Sequence, residues 1–161
     1  MNRVDENFDP KTHEMCTHRS FDDLRVGERF VIPSRTIGGE NFAAFQLASG
    51  DNHPIHYDIE YCRARGHENL LAHGYQALIQ CAPGAGTLPH VLGDDLIGFI
   101  EQSAQFLGPL YLGDTVYPAL EITELTRQRT TGVITLRNTV HNQRRELILD
   151  GWQKLLVRLP K

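Results

Sequence analysis

The sequence predicts a single α+β domain in which one antiparallel sheet wraps around one central helix. Three observations lead to this prediction. Four long β-like runs fill the chain from residue 96 to residue 159, one strand pattern precedes them near residue 30, and an almost uncharged helical stretch lies between. Because strands and helices do not alternate along the chain, a doubly wound sheet is excluded, and the β-rich second half excludes a helical bundle.

Length and composition fit one globular domain that needs no disulfide or metal to fold. The chain has 161 residues, of which 40% are apolar and 22% are charged, and a domain of this size buries roughly 70% of its unfolded surface. The formal net charge of 16 − 20 = −4 argues against binding to nucleic acid or to a membrane surface, since both require a basic face.

Cysteine usage and the absence of long apolar runs indicate a cytoplasmic protein. Cys16, Cys62 and Cys81 are odd in number and far apart, so neither a disulfide framework nor a thiolate zinc site is predicted. No apolar run approaches the ~20 residues that span a bilayer. The N-terminus lacks the apolar region of a secretory signal.

The chain begins with a polar stretch. Residues 1–19 are expected to form a leader that is flexible or lies on the surface, so that the folded domain covers residues 20–161. His13, Cys16 and His18 lie in this leader at a spacing that would suit a metal. No fourth ligand is nearby, and we therefore expect a solvated tail.

The first half of the domain combines one strand with three helices. Residues 29–37 predict a strand, and residues 40–48 have the apolar spacing of a short amphipathic helix. Asp58 is a candidate cap for a short helix through residue 65. The stretch YQALIQCA, residues 75–82, has few charges on any side, which is typical of a buried helix.

The second half contains only β-like runs, each bounded by turn residues. In one of them Ile134, Leu136, Asn138 and Val140 share a face, as the two-residue period of a strand requires. Short turns between consecutive strands predict an antiparallel meander. The four runs are residues 96–107, 114–125, 131–142 and 146–159.

The densest cluster of reactive side chains lies in the sequence SGDNHPIHY, residues 49–57. Gly50 and Pro54 fix an irregular, rigid backbone between two helices. Such a loop can turn Asp51 and His56 toward one small volume, where a water could contact both. A histidine beside a carboxylate is a plausible acid–base pair near neutral pH.

Two other interpretations of this loop remain open. Asp51 could cap a helix or form an Asx turn, with His56 as a structural histidine at the surface. Asp51, His53 and His56 could instead ligate a metal, since two histidines and one carboxylate are a known ligand set. The spacing matches no common metal motif and Pro54 restricts the backbone, so we expect no metal.

A second signal lies at the start of the predicted buried helix, where His73 precedes Gly74. A helix N-terminus offers free N–H groups and a partial positive charge. Gly74 has no side chain to keep a ligand from the backbone, so an oxyanion on a thioester carbonyl would suit this position. Close packing is the alternative explanation of the glycine.

These residues resemble a known family. The sequence SGDNHPIH resembles the hydratase-2 motif, G-D-x-N-P-aliphatic-H, of MaoC-like (R)-specific enoyl-CoA hydratases and dehydratases. Three further stretches are similar to elements of that family, and together they extend the resemblance from about Phe21 to the end. They are FDDLRVGERF…RTI at the opening strand, LLAHGYQALI at the central helix and FLGPLYLGDTV at a strand–turn–strand element.

The resemblance implies a hot-dog fold, in which a curved antiparallel sheet wraps a central helix, and a homodimer or higher oligomer formed by sheet pairing. It places Asp51 and His56 at the catalytic positions and Gly74 at the position whose N–H binds the thioester oxygen. Ala82 and Ala85 take two positions that shape the acyl pocket, where small side chains leave room for a longer or branched acyl group. The supporting positions are Ser49, Gly50, Asn52, His53, Pro54 and His73.

The chain departs from the family pattern at one position of the motif. His53 stands where the family usually has the asparagine before proline, and Asn52 takes the variable position. The spacing from Asp51 to His56 is unchanged. His53 could therefore support the pair, contact substrate or replace asparagine in a turn.

The implied reaction is reversible hydration of a trans-2-enoyl-CoA to an (R)-3-hydroxyacyl-CoA. No metal or redox cofactor is expected, and coenzyme A enters as part of the substrate. Rival interpretations are a hot-dog acyl-CoA thioesterase and a non-catalytic acyl-CoA-binding protein. Candidate contacts for the coenzyme A phosphates are Arg63, Arg65, Arg127, Arg129, Arg144 and Arg145.

Overall fold

Six antiparallel strands form one sheet in the computed structural model, which describes residues 3–160. Each of the four predicted runs coincides with a long strand. The strands are β1 (Arg29–Val31), β2 (Arg35–Thr36), β3 (Leu96–Phe106), β4 (Thr115–Arg127), β5 (Thr131–Asn142) and β6 (Leu147–Arg158).

The strand order β1-β4-β5-β6-β3 corrects the predicted meander. Strands β4, β5 and β6 do follow one another across the sheet. Strand β3 pairs with β6 rather than with β4, so the meander prediction is wrong at its first link. The edge of β4 that faces away from β5 pairs with β1 and β2. After β3, the chain therefore passes from one edge of the sheet to β4, near the other edge.

The predicted first strand is divided into β1 and β2. Pro33 lies between them and has no N–H to donate to a sheet ladder. The chain still turns apolar side chains inward both before and after Pro33, because Ile32 and Ile37 are buried. Both short strands therefore pair with β4 and extend the sheet.

The central helix is less enclosed than the sequence predicts. It comprises α3, Gly74–Leu78, and a 3-10 turn, Ile79–Cys81, and only its inner side is buried. Tyr75 and Ile79 are 63% and 54% exposed, so the prediction of a helix buried all round is wrong for this single chain. The helices are α1 (Gly39–Ser49), α2 (Ile59–Arg63), α3 (Gly74–Leu78) and α4 (Leu88–Leu92).

The core lies between the helical segment and one face of the sheet. The predicted alternation in β5 is confirmed, because Ile134, Leu136, Asn138 and Val140 are all buried. The 3-10 turn Ile79–Cys81 packs against β4 and β5. This packing holds the start of α3 in a fixed place relative to the sheet.

Residues 3–19 of the leader run along the surface and contact the domain near α4. The Arg19 N–H donates to the Val91 carbonyl at 2.8 Å, and His18 Nε2 lies 3.0 Å from Asp95 Oδ2. Cys16 packs against the core. No helix within residues 3–160 has the length and hydropathy to cross a membrane.

Candidate active site

The loop after α1 is fixed by backbone contacts before any reactive side chain is placed. Gly50 ends α1 at φ +71°, and its N–H donates to the Gln46 carbonyl. The Ser49 hydroxyl accepts the Asp51 N–H at 3.1 Å. Pro54 then starts a 3-10 turn that ends at His56. The predicted rigid loop is therefore present.

A short extended segment, residues 70–72, brings the two sequence motifs together. The Ala72 N–H donates to the Leu110 carbonyl at 2.7 Å, and the Leu71 N–H donates to the Ile55 carbonyl at 3.2 Å. The Leu71 carbonyl in turn accepts from His56 Nδ1 at 2.6 Å. Because this segment leads directly into α3, it places His73 beside the loop that carries Asp51 and His56.

Asp51, His56 and His73 form one cluster. Each contributes an oxygen or nitrogen to a group of atoms that all lie within 4.8 Å of one another, and all three residues are partly buried. The sequence predicted the approach of Asp51 to His56. It assigned His73 only a supporting position, although His73 Nε2 lies 3.1 Å from Asp51 Oδ2.

Backbone contacts assign different protons to the two imidazoles. His56 Nδ1 faces the Leu71 carbonyl, which can only accept, so Nδ1 carries the proton and Nε2 has the free lone pair. His73 Nδ1 accepts the Tyr75 N–H at 3.1 Å, so in the neutral ring Nε2 carries the proton. His73 Nε2 therefore carries its proton 3.1 Å from Asp51 Oδ2, at ion-pair distance, whereas His56 is a potential proton acceptor.

The Asp51 carboxyl is stabilised in its ionised form. The backbone N–H of His53 donates to Oδ1 at 2.9 Å and lowers the pKa of Asp51 below its ordinary value. Partial burial opposes this shift, and the imidazoles of His56 and His73 add to it. Asp51 is thus a carboxylate at neutral pH.

The other motif residues shape the loop. His53 Nδ1 accepts the Ile55 N–H at 3.3 Å and caps the 3-10 turn, a contact that an asparagine oxygen could also make. This contact favours the turn interpretation of His53 over the other two. Asn52 is bound on the side of α1, where its Oδ1 accepts from Gln46 at 2.5 Å.

Gly74 is the first residue of α3, and a side chain would be crowded there. A Cβ at this position would lie 3.2 Å from the Phe106 ring. The first N–H groups of a helix have no partner within it, so the Gly74 N–H is available in principle. The helix has only five residues, and its dipole therefore adds less than the sequence prediction assumed.

The two alanines predicted to shape an acyl pocket do not lie on one helix. Ala82 is exposed and adopts ψ 125° before Pro83, while Ala85 is partly buried in the next 3-10 turn and packs against the core. Proline disfavours helical backbone at the residue before it, which explains the break. Their role in substrate selection stays a prediction.

Three of the six candidate arginines are engaged by acidic partners. Arg127 pairs with Asp22, Arg63 with Glu60, and Arg144 with Asp114 and Glu146. Arg65 differs, because its guanidinium lies 3.4 Å from the centre of the Tyr61 ring. That ring is 5.6 Å from the His53 ring, which places Arg65 beside the candidate site.

Comparison with solved structures defines the class of protein. A Mycobacterium tuberculosis protein with a double hot-dog fold matches with a TM-score of 0.73 and 24% identity, over 89% of this chain and 45% of that one. Together with the antiparallel sheet and the helix it covers, this similarity confirms the hot-dog fold and the α+β class.

The family follows from the sequence comparisons. The profile of the MaoC-like domain matches residues 23–143, and the chain belongs to this family. The 3-hydroxybutyryl-CoA dehydratase of Methylorubrum extorquens is 29% identical over 145 residues, which cover 88% of this chain and 84% of the relative. The (R)-hydratase of A. caviae, described as involved in PHA biosynthesis, has a TM-score of 0.68 and 29% identity, over 85% of this chain and 98% of that one.

Proposed function

We propose that the protein is a hydro-lyase that adds water to a trans-2-enoyl-CoA to give an (R)-3-hydroxyacyl-CoA, or removes it in the reverse direction. The observation that carries this proposal is the convergence of the Asp51 carboxylate with His56, whose Nε2 is left with a free lone pair. The dehydratase and hydratase relatives support the same reaction class. The (R) configuration rests on the family resemblance alone.

In the proposed step, Asp51 and His56 hold one water between them. His56 Nε2 accepts a proton as the water oxygen bonds to Cβ of the substrate, and a proton is delivered to Cα on the same face, so that one water is added in total. We assign the base role to His56, because Asp51 is already stabilised as an acceptor of hydrogen bonds. Interacting groups of this kind titrate as a unit.

The negative charge formed during the reaction moves onto the thioester oxygen. We assign its stabilisation to the Gly74 N–H at the start of α3, which has no partner within the helix. A hydrogen bond placed where charge develops stabilises the transition state more than the ground state. The start of α3 thus contributes a hydrogen-bond donor, whereas the dipole of this short helix contributes little.

The proposed reaction needs no metal. Asp51, His56 and His73 form the two-histidine, one-carboxylate set that binds several transition metals. Binding through His73 Nε2 would require the lone pair of that atom, whereas the Tyr75 N–H on Nδ1 fixes the proton on Nε2. A metal would therefore disrupt the cap of α3, and we assign the cluster to acid–base chemistry.

Coenzyme A enters as part of the substrate, and we propose Arg65 as a contact for its phosphates. Arg65 is near the loop through Tyr61 and His53. One Arg65 N–H donates to the Tyr61 carbonyl at 3.3 Å. The other N–H donors of a guanidinium that lies over an aromatic ring point outward in the guanidinium plane, where they can bind phosphate oxygens. An acidic chain can in this way still bind an anionic substrate.

We propose that the protein forms a homodimer through the outer edge of β3. This strand ends the sheet and exposes apolar side chains that an edge strand in a monomer usually replaces with charges. Phe106 lies against Gly74, so this edge is next to the candidate site. The exposed apolar residues are Ile97, Phe99, Ile100, Phe106 and Leu107.

We further propose a reducing, cytoplasmic setting for this reaction. Cys16, Cys62 and Cys81 are all free thiols. Burial raises the pKa of the Cys81 thiol to about 12, so this group stays protonated and unreactive at neutral pH. Cys81 therefore takes no part in the proposed chemistry.

The experiment that tests the function is a panel of trans-2-enoyl-CoA and 3-hydroxyacyl-CoA substrates with the wild-type protein. Loss of the enoyl absorbance, with formation of the (R)-hydroxy product and no free thiol, is the expected result. Release of coenzyme A thiol would instead identify a thioesterase. Tight binding without turnover would identify a binding protein, and either outcome would overturn the proposal.

A further inference from the structure

We propose that His73 is a positioning residue that orients the Asp51 carboxylate toward the water, and that the backbone of α3 sets the direction of its ring. This inference rests on the proposed function. It adds a third residue to the acid–base pair and assigns to it a role that differs from that of His56. His73 acts through Asp51 and need not contact substrate.

Two contacts hold the His73 ring, one at each of its nitrogen atoms. Nδ1 accepts the Tyr75 N–H at 3.1 Å, and Nε2 lies 3.1 Å from Asp51 Oδ2. The ring also packs near two aromatic side chains. Its centre is 5.2 Å from that of Phe45 and 5.4 Å from that of Tyr75, with an angle of only 13° between the latter planes. The donor on Nε2 therefore has a fixed direction.

The carboxylate of Asp51 is held at both oxygens as a result. Oδ1 accepts the His53 N–H at 2.9 Å, and Oδ2 faces His73. Each carboxylate oxygen has a second lone pair, which remains available for a water. Rotation of the carboxyl group would break the hydrogen bond at Oδ1 or lose the close contact with His73 at Oδ2, so the geometry of the pair with His56 is set in advance.

The role of His73 as a cap can be separated from its role toward Asp51 by two substitutions. His73→Asn keeps an acceptor at about the position of Nδ1, and asparagine is a preferred N-cap residue, but its side chain is too short to reach Asp51. His73→Gln places an amide donor at about the position of Nε2 and gives up the cap. A cap role alone predicts that the asparagine variant behaves as wild type.

The test is steady-state kinetics of enoyl-CoA hydration with these variants. We expect His73→Asn to lower kcat about 10- to 100-fold with a smaller change in KM, and His73→Gln to recover part of the loss. The matched control is His18→Asn, which removes a histidine–aspartate contact of 3.0 Å at the surface and should leave kcat unchanged. Wild-type kcat in a folded His73→Asn variant would overturn the inference.

A pH profile adds a result that a purely structural role would not give. The titratable groups that face Asp51 are His53, His56, His73 and Tyr57. Loss of the His73 contact removes support for the ionised carboxylate, so the part of the acid limb of kcat/KM that reports Asp51, rather than the base His56, should move to higher pH in His73→Asn but not in His18→Asn. An unmoved limb would contradict the proposal.

Nuclear magnetic resonance separates this inference from the proposed function. If wild-type protein hydrates no enoyl-CoA, the function fails, but the ¹⁵N shifts of His73 and the carboxyl titration of Asp51 can still be measured. A protonated Nε2 and a higher Asp51 pKa in His73→Asn would support the positioning role. A protonated Nδ1, or an unchanged Asp51 titration, would overturn it even in an active enzyme.

Discussion

At the scale of single residues, backbone groups decide what each imidazole of the site can do. The Leu71 carbonyl fixes the proton of His56 on Nδ1, and the Tyr75 N–H fixes that of His73 on Nε2. Neither contact is visible in the sequence, since each depends on how a loop meets a neighbouring segment. The residue types predict that acid–base chemistry is possible, and the backbone assigns the roles.

Asp114 shows the same principle in a residue that stabilises the fold. Its carboxylate is only 4% exposed and accepts from the Tyr111 N–H at 2.9 Å, from Gln143 at 2.6 Å and from Arg144 at 2.9 Å. Burial alone would raise the pKa of Asp114, but these hydrogen bonds outweigh it and the pKa is lowered. Because the unfolded chain binds this proton more readily, the stabilisation is lost as pH falls below the ordinary carboxyl range of about 4.

Asp114→Asn is therefore expected to lower the free energy of unfolding at pH 7 by about 1–3 kcal/mol and to flatten its dependence on pH. Urea unfolding at pH 7 and at about pH 3, below the ordinary carboxyl range of about 4, measures both effects. Asp94→Asn, at an exposed position, is the control and should resemble wild type. An Asp114→Asn variant with the wild-type loss of stability in acid would contradict this account.

At the scale of elements, the sequence predicts local structure well and the partners of each strand less well. Alternation identifies all four long strands, because the two-residue period is a local property. The pairing of β3 with β6 depends on β1 and β2 occupying the edge of β4, which no local pattern shows. The end of the central helix at Cys81 follows from Pro83, because proline disfavours helical backbone at the residue before it.

The approach of His73 to Asp51 could be predicted from the sequence only in part. The sequence predicts the loop of residues 49–57 and the start of α3 separately, each from turn and cap residues. Their contact requires residues 70–72 to lie between Ile55 and Leu110. The Ala-His-Gly sequence was the available signal, and it could have placed His73 in the site itself.

The end of α1 offers a prediction at this scale. Gly50 has φ +71° and open space where a Cβ would lie, whereas Gly39 begins the same helix with the same open space and no positive φ. Gly50→Ala should therefore cost about 1–2 kcal/mol through backbone strain alone. Gly39→Ala should be neutral or slightly stabilising. Thermal unfolding of the two variants measures the difference, and equal stability would refute the role of Gly50.

At the scale of the whole molecule, the sheet has two unlike edges. The edge formed by β1 is three residues long, whereas β3 presents eleven residues and several exposed aromatic and aliphatic side chains. A long apolar edge favours pairing with another chain. The outer edge of β3 is therefore the surface through which we expect the dimer predicted from the family resemblance to form.

Ile100→Lys tests whether the outer edge of β3 forms the dimer interface. Ile100 is 50% exposed at an irregularity of β3, and Val31, 68% exposed in β1, provides a control on the opposite edge. We expect wild type and Val31→Lys to be dimers by light scattering, and Ile100→Lys to dissociate at micromolar concentration with its circular dichroism retained. A monomeric wild type, or dissociation only in Val31→Lys, would show that β3 is not the interface.

The most direct test of the central claim is the rate of enoyl-CoA hydration by Asp51→Asn, His56→Ala and the double variant. General acid–base catalysis contributes about 10²- to 10⁴-fold, and members of one catalytic unit are not additive. We expect each single variant to lose kcat by about that factor, and the double variant to lose little more. Full activity in either single variant, with the fold intact, would contradict the assignment of water activation to Asp51 and His56.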